Sequence, residues 1–559
     1  MVKDNKIKGL SIELLIILLL GLFSFMGGCQ NKSAQSTHSS GKVTGKPVSG
    51  DWVVRNLGSD PQTLNPVTAS EMNSFYVNSL LFDSLIDVDK DANFIPRIAT
   101  SWDISPDNKV ITFHLRKDVK FHDGVALTAE DVKYTFDKIM DPRSLAENKR
   151  GDFEFVSKVE TPDKYTVKVT YKKPFAAALE SWGIMIIPKH IYLKEDFLKS
   201  KYNRAPVGSG PYLFEKWDSN QVIILKANPD YWGGKPYLDK VVFKMIPDPT
   251  VSFNSLVKED LDVEGIRPIQ WVNMTNTPEF KKKLNKMKYF TRSYSYIGWN
   301  SNGTNPFFKD KKVRQAMTYA MNRRQILDKI FYGLGEICTG PFYPLSWAYD
   351  STVQAYPFDL DKSRKLLDEA GWKDTNNDGI RDKKGIPFEF TFLYPSVSKT
   401  AEQMASIYQE DLKKIGVKMN TRKMEWVTFT DLIHKGDFQA YTMGWSLSID
   451  PDPYAIWHSS QRKDGLNYVG FKNAEADKLM EEARSQFDIQ ERAKRYHRIH
   501  QIIHDEQPYT FLFFSPALVG VNKRLQSVEV SPQGLGLYQH YPGQLSWWVP
   551  AQAQKYRSK

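Results

Sequence analysis

The segment from Phe388 to Thr421 is the feature that most narrows what this chain can fold into. Phe388–Leu393 has the apolar content of a buried strand, and Val417–Thr421 has the same character. Between them, apolar residues recur at helical spacing and Gly416 follows the last one: Met404, Tyr408, Leu412 and Ile415. A strand, a helix and a strand joined by short turns predict a βαβ unit, and therefore a parallel sheet with a right-handed crossover.

Similar patterns continue over residues 51–550. Val110–Arg116 and Tyr165–Tyr171 alternate as strands do, and Thr128 followed by Asp131 resembles a capped helix start. The chain has 559 residues, and at about 100–200 residues per domain this length predicts three or four units. Because no Pro/Ser-rich linker interrupts residues 51–550, we expect mixed α/β domains that are joined by strands or interleaved rather than strung in a row.

The composition excludes several classes of protein. Apolar residues make up 41% and charged residues 25%, which fits neither wholesale disorder nor a polytopic membrane protein. The net charge of +11 permits an acidic partner but does not demand one. We expect no nucleic-acid partner and a monomer.

The first 28 residues are predicted to be a targeting segment. Lys3, Lys6 and Lys8 give a positive start, and the apolar stretch Leu14–Met26 is too short for a spanning helix. The residues Met26-Gly27-Gly28-Cys29 resemble the lipobox of a bacterial lipoprotein, which implies that Cys29 carries the lipid. An ordinary secretory signal with a chance cysteine is the alternative.

Residues 29–50 lack hydrophobic periodicity and are predicted to be a flexible tether. A lipid and a tether predict a protein held at the cell membrane on the extracytoplasmic face, which is the periplasmic side if the cell has an outer membrane. Cys338 is the only other cysteine. We therefore expect no disulfide, and a core that is stable through its size.

The sequence contains no convincing motif for catalysis or metal binding. His497, His500 and His504 lie on one face of a predicted helix, where imidazoles can hold Zn²⁺, but an ordinary helix with partly exposed histidines explains them better. Ser255 with Lys258 forms an isolated Ser-x-x-Lys match without its companion motifs. We predict that the chain is not an enzyme and holds no metal and no cofactor.

Several stretches, taken in order, resemble the family 5 extracellular solute-binding proteins of bacterial ABC transporters. They are Leu81–Leu85 (LFDSL), Ala99–Trp102 (ATSW), Phe113–Arg116 (FHLR), Phe121–Gly124 (FHDG), Gly208–Tyr212 (GSGPY), Asn228–Trp232 (NPDYW), Val313–Ala316 (VRQA) and Gly444–Trp445 (GW). The resemblance covers about residues 50–550. A single motif would be weak evidence, but the occurrence of all these motifs in the family's order makes the resemblance specific.

The resemblance implies an α/β fold: a two-lobed clamshell like that of periplasmic binding proteins, with an extra domain inserted in the first lobe. The expected boundaries are 1–28 for the signal peptide, 29–50 for the tether, 51–82 with 207–292 and 524–550 for the first lobe, 83–206 for the inserted domain, and 293–523 for the second lobe.

In peptide-binding relatives an extended ligand adds to strands of both lobes, a mode that reads the main chain. The positions that match those strands are Ala69, Ser70, Glu71 and Met72 in the first lobe and Gly444, Trp445, Ser446 and Ser448 in the second. Trp426 and Trp445 match rings that flank the ligand, and Tyr296 is a weaker candidate. The alternative for both tryptophans is a place in the core of the lobe.

The segment after Trp445 departs from many relatives, which have an Asp three residues later that binds the α-amino group of a peptide. Ser448 occupies that position, and Asp450 could substitute for the missing carboxylate or could be a turn residue. A hydrogen bond to a charged group contributes about 1.5–3 kcal/mol, whereas each neutral main-chain bond contributes about 0.5–1.5 kcal/mol. The departure therefore favours long oligopeptides over dipeptides.

The resemblance implies a membrane-anchored receptor that captures extracellular oligopeptides between its lobes and delivers them to an ABC permease. The nearest alternative keeps the fold and binds an oligosaccharide, because aromatic side chains also suit sugar rings. A nickel chelate or haem is a more distant alternative. The open questions at this stage are the ligand, its length, and the permease.

Overall fold

The structure is a computed structural model, and it describes residues 45–302, 305–463 and 465–556. The predicted signal peptide, Cys29 and most of the predicted tether lie outside these residues. Among the helices that are described, none combines the length and the apolar content needed to cross a membrane.

The strands of the described residues are, in chain order, β1 (Trp52–Asn56), β2 (Ile86–Val88), β3 (Phe94–Pro96), β4 (Ala99–Ile104), β5 (Val110–Leu115), β6 (Val156–Asp163), β7 (Thr166–Tyr171), β8 (Tyr212–Asp218), β9 (Val222–Ala227), β10 (Lys240–Lys244), β11 (Val263–Gly265), β12 (Leu284–Phe290), β13 (Ser293–Trp299), β14 (Glu336–Ile337), β15 (Asp382–Lys383), β16 (Ile386–Pro387), β17 (Glu389–Pro395), β18 (Lys418–Met424), β19 (Ala440–Ser446), β20 (Tyr509–Phe511), β21 (Phe513–Phe514) and β22 (Pro516–Asn522).

The α-helices of the same residues are α1 (Met72–Leu81), α2 (Ala129–Met140), α3 (Glu147–Arg150), α4 (Lys189–Tyr192), α5 (Pro249–Val257), α6 (Pro268–Asn273), α7 (Pro278–Lys283), α8 (Lys311–Tyr319), α9 (Arg323–Phe331), α10 (Leu360–Glu369), α11 (Lys399–Lys413), α12 (Trp426–Lys435), α13 (Tyr454–Trp457), α14 (Ala474–Arg484) and α15 (Ile489–Glu506).

The local predictions are confirmed where the pattern was strong. β17, α11 and β18 form the βαβ unit, with β17 and β18 paired in parallel. Ile111, Phe113 and Leu115 are the buried residues of β5, as its alternation predicted. Thr128 caps α2, and the Asp131 carboxylate accepts a hydrogen bond from the Thr128 backbone N–H. Each of these features depends on residues close together in sequence.

Three large sheets organise the described residues. The seven-stranded sheet has the order β12-β22-β11-β1-β10-β9-β8, and the five-stranded sheet has the order β18-β17-β19-β13-β20. The four-stranded sheet, β4-β5-β7-β6, comes from the chain between β1 and β8. The chain thus leaves the seven-stranded sheet, builds another sheet and returns, which is the interleaving expected from the missing linkers.

Strand β17 of the five-stranded sheet is buried on both faces, whereas the edge strand β18 is largely exposed. Phe390 and Phe392 of β17 pack on one side with α11, whereas Leu393 faces a second cluster that includes Tyr496 of α15. Successive strand residues point to opposite faces, so a strand covered on both sides has an apolar residue at nearly every position. This burial fixes the sheet as a rigid platform.

Two short segments connect the seven-stranded and five-stranded sheets within the described residues. β12 of the seven-stranded sheet ends at Phe290 and β13 of the five-stranded sheet begins at Ser293. β20 of the five-stranded sheet ends at Phe511 and, after the short strand β21, β22 of the seven-stranded sheet begins at Pro516. Phe290 and Pro516 are opposite each other in the β12–β22 ladder, so the two crossings lie side by side. Neighbouring crossings of this kind are suited to act as a hinge.

The first crossing is held by Arg292. Its guanidinium donates to the carbonyls of Ser448 at 3.3 Å and Ile449 at 3.0 Å, and to the carbonyl of Gln533 at 3.2 Å. Strand β22, which lies in the stretch predicted for the second lobe, pairs with β11 and β12 of the seven-stranded sheet. The expected domain boundaries themselves stay a prediction.

Candidate functional site

The carboxyl ends of four strands meet at one edge of the five-stranded sheet. β17 is parallel to β18 and to β19, and β13 is antiparallel to both β19 and β20. It follows that β17, β18, β19 and β20 run in the same direction. In open α/β sheets ligands bind outside the carboxyl ends of the strands, so this edge is the first place to look for a site.

Strand β19 leaves one side of its backbone unpaired near this edge. Leu447 donates its N–H to the carbonyl of Arg292 at 2.8 Å, and hydrogen-bonded pairs alternate along an antiparallel ladder. The backbone groups of Met443 and Trp445 therefore face β13, and those of Thr442, Gly444 and Ser446 face away from it. On that other side β17 pairs only with Ala440 and Tyr441. The Leu393–Tyr441 pair uses the Thr442 N–H, so we call the Thr442 carbonyl together with the backbone groups of Gly444 and Ser446 the free edge.

A cavity of about 400 Å³ lies against the free edge. Its walls come from the end of β17, the start of α11, the start of α12 and the segment around β21. The apolar residues that line it include Phe331, Ala401, Met404, Trp426, Leu512 and Phe513. Thr442, Met443 and Gly444 of β19 also line it. We call this space the Trp426 cavity.

Trp426, one of the predicted ring residues, begins α12 and is 48% exposed, with its ring stacked on Phe429 at 5.8 Å. Its neighbours Val427 and Val397 are 70% and 82% exposed. The core position considered as the alternative is therefore excluded for Trp426. Large apolar side chains with this exposure mark interaction surfaces when they cluster.

Trp445 and Tyr296 belong to a stack of rings behind β19. Tyr296 is fully buried and stacks on Tyr509 at 3.8 Å, and Trp445 lies parallel to Tyr296 at 6.2 Å. The Trp445 indole N–H donates to the Tyr509 hydroxyl at 3.3 Å. Tyr296 is a core residue that supports Trp445 from behind. Direct ligand contact by either residue stays a prediction.

The segment Ala69–Met72 was predicted to match a ligand-binding strand of the first lobe, and the prediction of a strand is wrong. Ala69 and Ser70 lie in a loop, Glu71 caps α1, and Met72 is the first helical residue. The Glu71 carboxylate accepts from the N–H groups of Ser74 and Asn73, which is helix-capping geometry. Glu71 itself keeps an extended backbone, as N-cap residues do, and the helix begins at Met72.

Lys149 holds the same loop from the inserted segment. Its ammonium donates to the carbonyls of Val67 and Ala69. Burial lowers the pKa of Lys149 to about 8, while Asp152 opposes the shift. Met72 is 44% exposed. The Ala69 carbonyl therefore already accepts a hydrogen bond within the protein, whereas the Met72 side chain at the start of α1 is exposed.

Asp450 is paired with a cation of the protein itself. Both carboxylate oxygens accept from the Arg492 guanidinium, at 2.8 Å and 2.7 Å, and both side chains are largely buried. The pKa of Arg492 is raised despite its burial, because Asp450 accepts its hydrogen bonds and carries the opposite charge. The Ser448 carbonyl accepts a hydrogen bond from the Arg292 guanidinium. The geometry suits Asp450 for anchoring a turn, and its role toward a peptide amine stays a prediction.

Glu180, which no sequence pattern selected, joins the inserted segment to the turn at Asp450. Its carboxylate accepts from the N–H groups of Ile449 at 2.9 Å and Asp450 at 2.7 Å. Burial raises the pKa of Glu180 to about 7, and the nearby Asp450 carboxylate adds to the shift. The two sides are about 270 residues apart in the chain, so only tertiary packing reveals the contact.

The three histidines of α15 have protein partners. His500 is buried and lies 3.2 Å from the Thr339 hydroxyl, and His504 lies 2.8 Å from the Thr339 carbonyl. His497 lies 3.1 Å from the carbonyl of Trp347. Within the described residues, no group of three or more His, Cys, Asp or Glu side chains is arranged to hold a metal ion.

A carboxyl-end site on one sheet, a second sheet joined to it by neighbouring crossings, and an inserted third sheet define a two-lobed ligand-binding protein. The chain belongs to the bacterial extracellular solute-binding proteins of family 5, whose model matches residues 93–467. Its fold is the mixed α/β clamshell of that family. The family and fold predicted from the sequence are thereby confirmed.

Particular relatives include proteins with different ligands in their names. The chain is 38% identical over 541 residues to the oligopeptide-binding protein AppA of Bacillus subtilis, covering 93% of this chain and 96% of AppA. It is 28% identical over 537 residues to heme-binding protein A of Haemophilus influenzae, covering 90% and 94% of the two chains.

Solved structures that are similar to this chain also contain different ligands. The structure of Bacillus subtilis AppA in complex with a nonapeptide has a TM-score of 0.78 and 35% identity, and the match covers 90% of this chain and all of that one. NikZ of Campylobacter jejuni in complex with Ni(L-His) has a TM-score of 0.75 and 27% identity, with the same coverage.

Proposed function

We propose that this protein is a receptor that captures oligopeptides between its lobes for an ABC transporter, and that it performs no catalysis. The observation that carries the proposal is the free edge of β19 beside the Trp426 cavity. Three alternate residues of β19 face outward and offer backbone groups to an extended chain, and the cavity offers room beside it. The similarity to AppA, with its nonapeptide complex, supports the same ligand class.

Strand addition explains how such a site would accept many sequences. An extended peptide pairs its main chain with an exposed edge, and only the pockets beside it distinguish side chains. Glycine at position 444 lets β13 and β19 pair closely at this edge, because a Cβ added there would lie only 3.0 Å from the Tyr294 carbonyl oxygen. The peptide backbone therefore supplies the affinity, and the side chains adjust it.

An oligosaccharide remains the alternative ligand, and the chemistry of the site favours the peptide. Sugars bind on aromatic faces surrounded by polar side chains, whereas the exposed residues around Trp426 include the aliphatic Val397 and Val427. Haem and nickel chelates occur among the ligands named for relatives. They are further outcomes of the same test.

Native mass spectrometry of the purified protein tests the ligand class directly. We expect a series of added masses that match peptides of about five residues or more, and their loss on partial unfolding and refolding. Added masses in steps of a hexose or pentose would support the oligosaccharide instead, and a single mass matching haem or a metal chelate would support those ligands. The oligosaccharide masses, or the mass of haem or a metal chelate, would overturn the proposed function.

Attachment to the membrane through Cys29 and delivery to a permease are parts of the same proposal. The Met26-Gly27-Gly28-Cys29 sequence and the polar residues after it support a lipid anchor. A receptor tethered in this way stays close to its transporter and cannot diffuse away. The anchor also restricts the protein to the extracytoplasmic face of the cell membrane.

Cys29→Ala is expected to release the folded protein from the membrane fraction while leaving its affinity for peptides unchanged. The lipid needs the thiol, whereas the described fold begins beyond this residue. Cell fractionation with an antibody against the protein provides the measurement, and Cys338→Ala, at a buried position, is the control for a cysteine that carries no lipid. Membrane retention of Cys29→Ala would place the anchor elsewhere.

A further inference from the structure

We propose that the Trp426 cavity is a specificity pocket that takes one large apolar side chain of the bound peptide. The proposal rests on the proposed function, because it assigns a ligand group to the site described there. It adds a preference that backbone pairing alone cannot give.

The size and lining of the cavity fit this role. Its volume of about 400 Å³ lies within the range of small-molecule pockets, about 300–1,000 Å³. Met404, Leu512 and Phe513 form buried walls. Serine and threonine hydroxyls line the rest, and no carboxylate or ammonium group is among the lining residues. A charged ligand side chain would lose its hydration here without gaining an ionic partner.

The position of the cavity connects it to the peptide backbone. Thr442 and Gly444 belong both to the free edge and to the cavity wall. A peptide residue paired at this edge would therefore direct its side chain into the cavity or away from it, as strand side chains alternate. Only one residue of a short peptide can occupy the cavity in a given register.

The mouth of the cavity extends the apolar contact. Trp426 lines the cavity and is about half exposed; Val427 follows it in α12, and Val397 precedes the lining residue Ser398, and both valines are exposed. These apolar groups are in contact with water in the free protein, and covering them with an apolar ligand side chain lowers the free energy of the complex. The surface thus favours phenylalanine, leucine or tryptophan over alanine and over charged residues.

A phenylalanine scan through an otherwise all-alanine hexapeptide tests the preference by calorimetry. We expect one position at which phenylalanine raises the affinity about tenfold, which corresponds to 1.4 kcal/mol. Lysine or glutamine at that position should give an affinity no higher than alanine. Equal affinities across the scan, or an equal gain from lysine, would overturn the proposal.

A cavity-filling variant identifies the pocket. Thr400 lines the cavity and is exposed, so Thr400→Phe should fill the space with little effect on folding. It should abolish the tenfold ratio between the affinities of the phenylalanine and alanine peptides. Ser406→Phe is the matched control, because Ser406 is an exposed residue of the same helix that does not line the cavity.

The two proposals fail in different ways. If no peptide of the scan binds, the proposed function is overturned and the pocket assignment with it. If peptides bind and Thr400→Phe lowers every affinity equally, or leaves the preference intact, only the pocket assignment is overturned. Thermal unfolding of both variants confirms that they are folded before binding is compared.

Discussion

Replacement of Arg524 by methionine is expected to lower the free energy of unfolding by about 3–5 kcal/mol, the usual result of removing one partner from a buried ion pair. The Arg524 guanidinium contacts Asp51 and Asp262, and the exposed fractions of these three side chains are only 5%, 0% and 2%. Methionine fills a similar space but leaves two buried carboxylates without their cation.

The Arg524 cluster joins three distant parts of the seven-stranded sheet. Asp51 precedes β1, Asp262 precedes β11, and Arg524 follows β22. The guanidinium also donates to the Trp52 carbonyl at 2.7 Å. Because the described residues contain no disulfide, this cluster and the core must hold the termini of the lobe in place.

Urea denaturation, followed by tryptophan fluorescence, measures the effect. Lys523→Met is the control, because the neighbouring Lys523 is exposed and its loss should change stability by less than about 1 kcal/mol. The double variant with Asp262→Asn should recover part of the loss, since one unpaired charge is then removed. An effect of Arg524→Met no larger than that of Lys523→Met would show that the cluster does not hold the lobe.

Peptides of five or more residues are expected to bind about a hundredfold more tightly than dipeptides. Each additional main-chain hydrogen bond to the free edge contributes about 0.5–1.5 kcal/mol, and two or three such bonds correspond to roughly this ratio. A dipeptide cannot span from Thr442 to Ser446, so it leaves part of the edge unpaired. Calorimetry on alanine peptides of two to eight residues provides the measurement.

Acetylation of the peptide N-terminus is the control for the length series. Asp450 already binds Arg492 through both oxygens, and Ser448 has no charge to offer. Acetylation should therefore cost less than about 1 kcal/mol, below the range for a hydrogen bond to a charged group. A tenfold or larger loss would mean that a carboxylate holds the amine, and Asp450→Asn would then be the first variant to examine.

Sequence patterns predicted the features that depend on near neighbours. The βαβ unit at β17–β18, the capped start of α2 and the alternation of β5 are set by the spacing of apolar residues and by capping side chains within a few positions. The order of short motifs was also sufficient to identify the family. The same reasoning selected Trp426, Gly444 and Ser446, which the structure brings to one edge.

Features that join distant segments were decided only by the tertiary structure. Glu180 and Asp450 are 270 residues apart, and Arg524 and Asp51 are 473 apart. Whether Asp450 is free or paired, and whether the residues of β19 face a neighbour or an open cavity, depends on which strands and helices pack beside them. The sequence alone established the family, the local elements and the residues to consider, because these follow from short-range spacing. The free edge, the Trp426 cavity and the buried ion pairs required the packed fold, because their energies come from partners that no local pattern specifies.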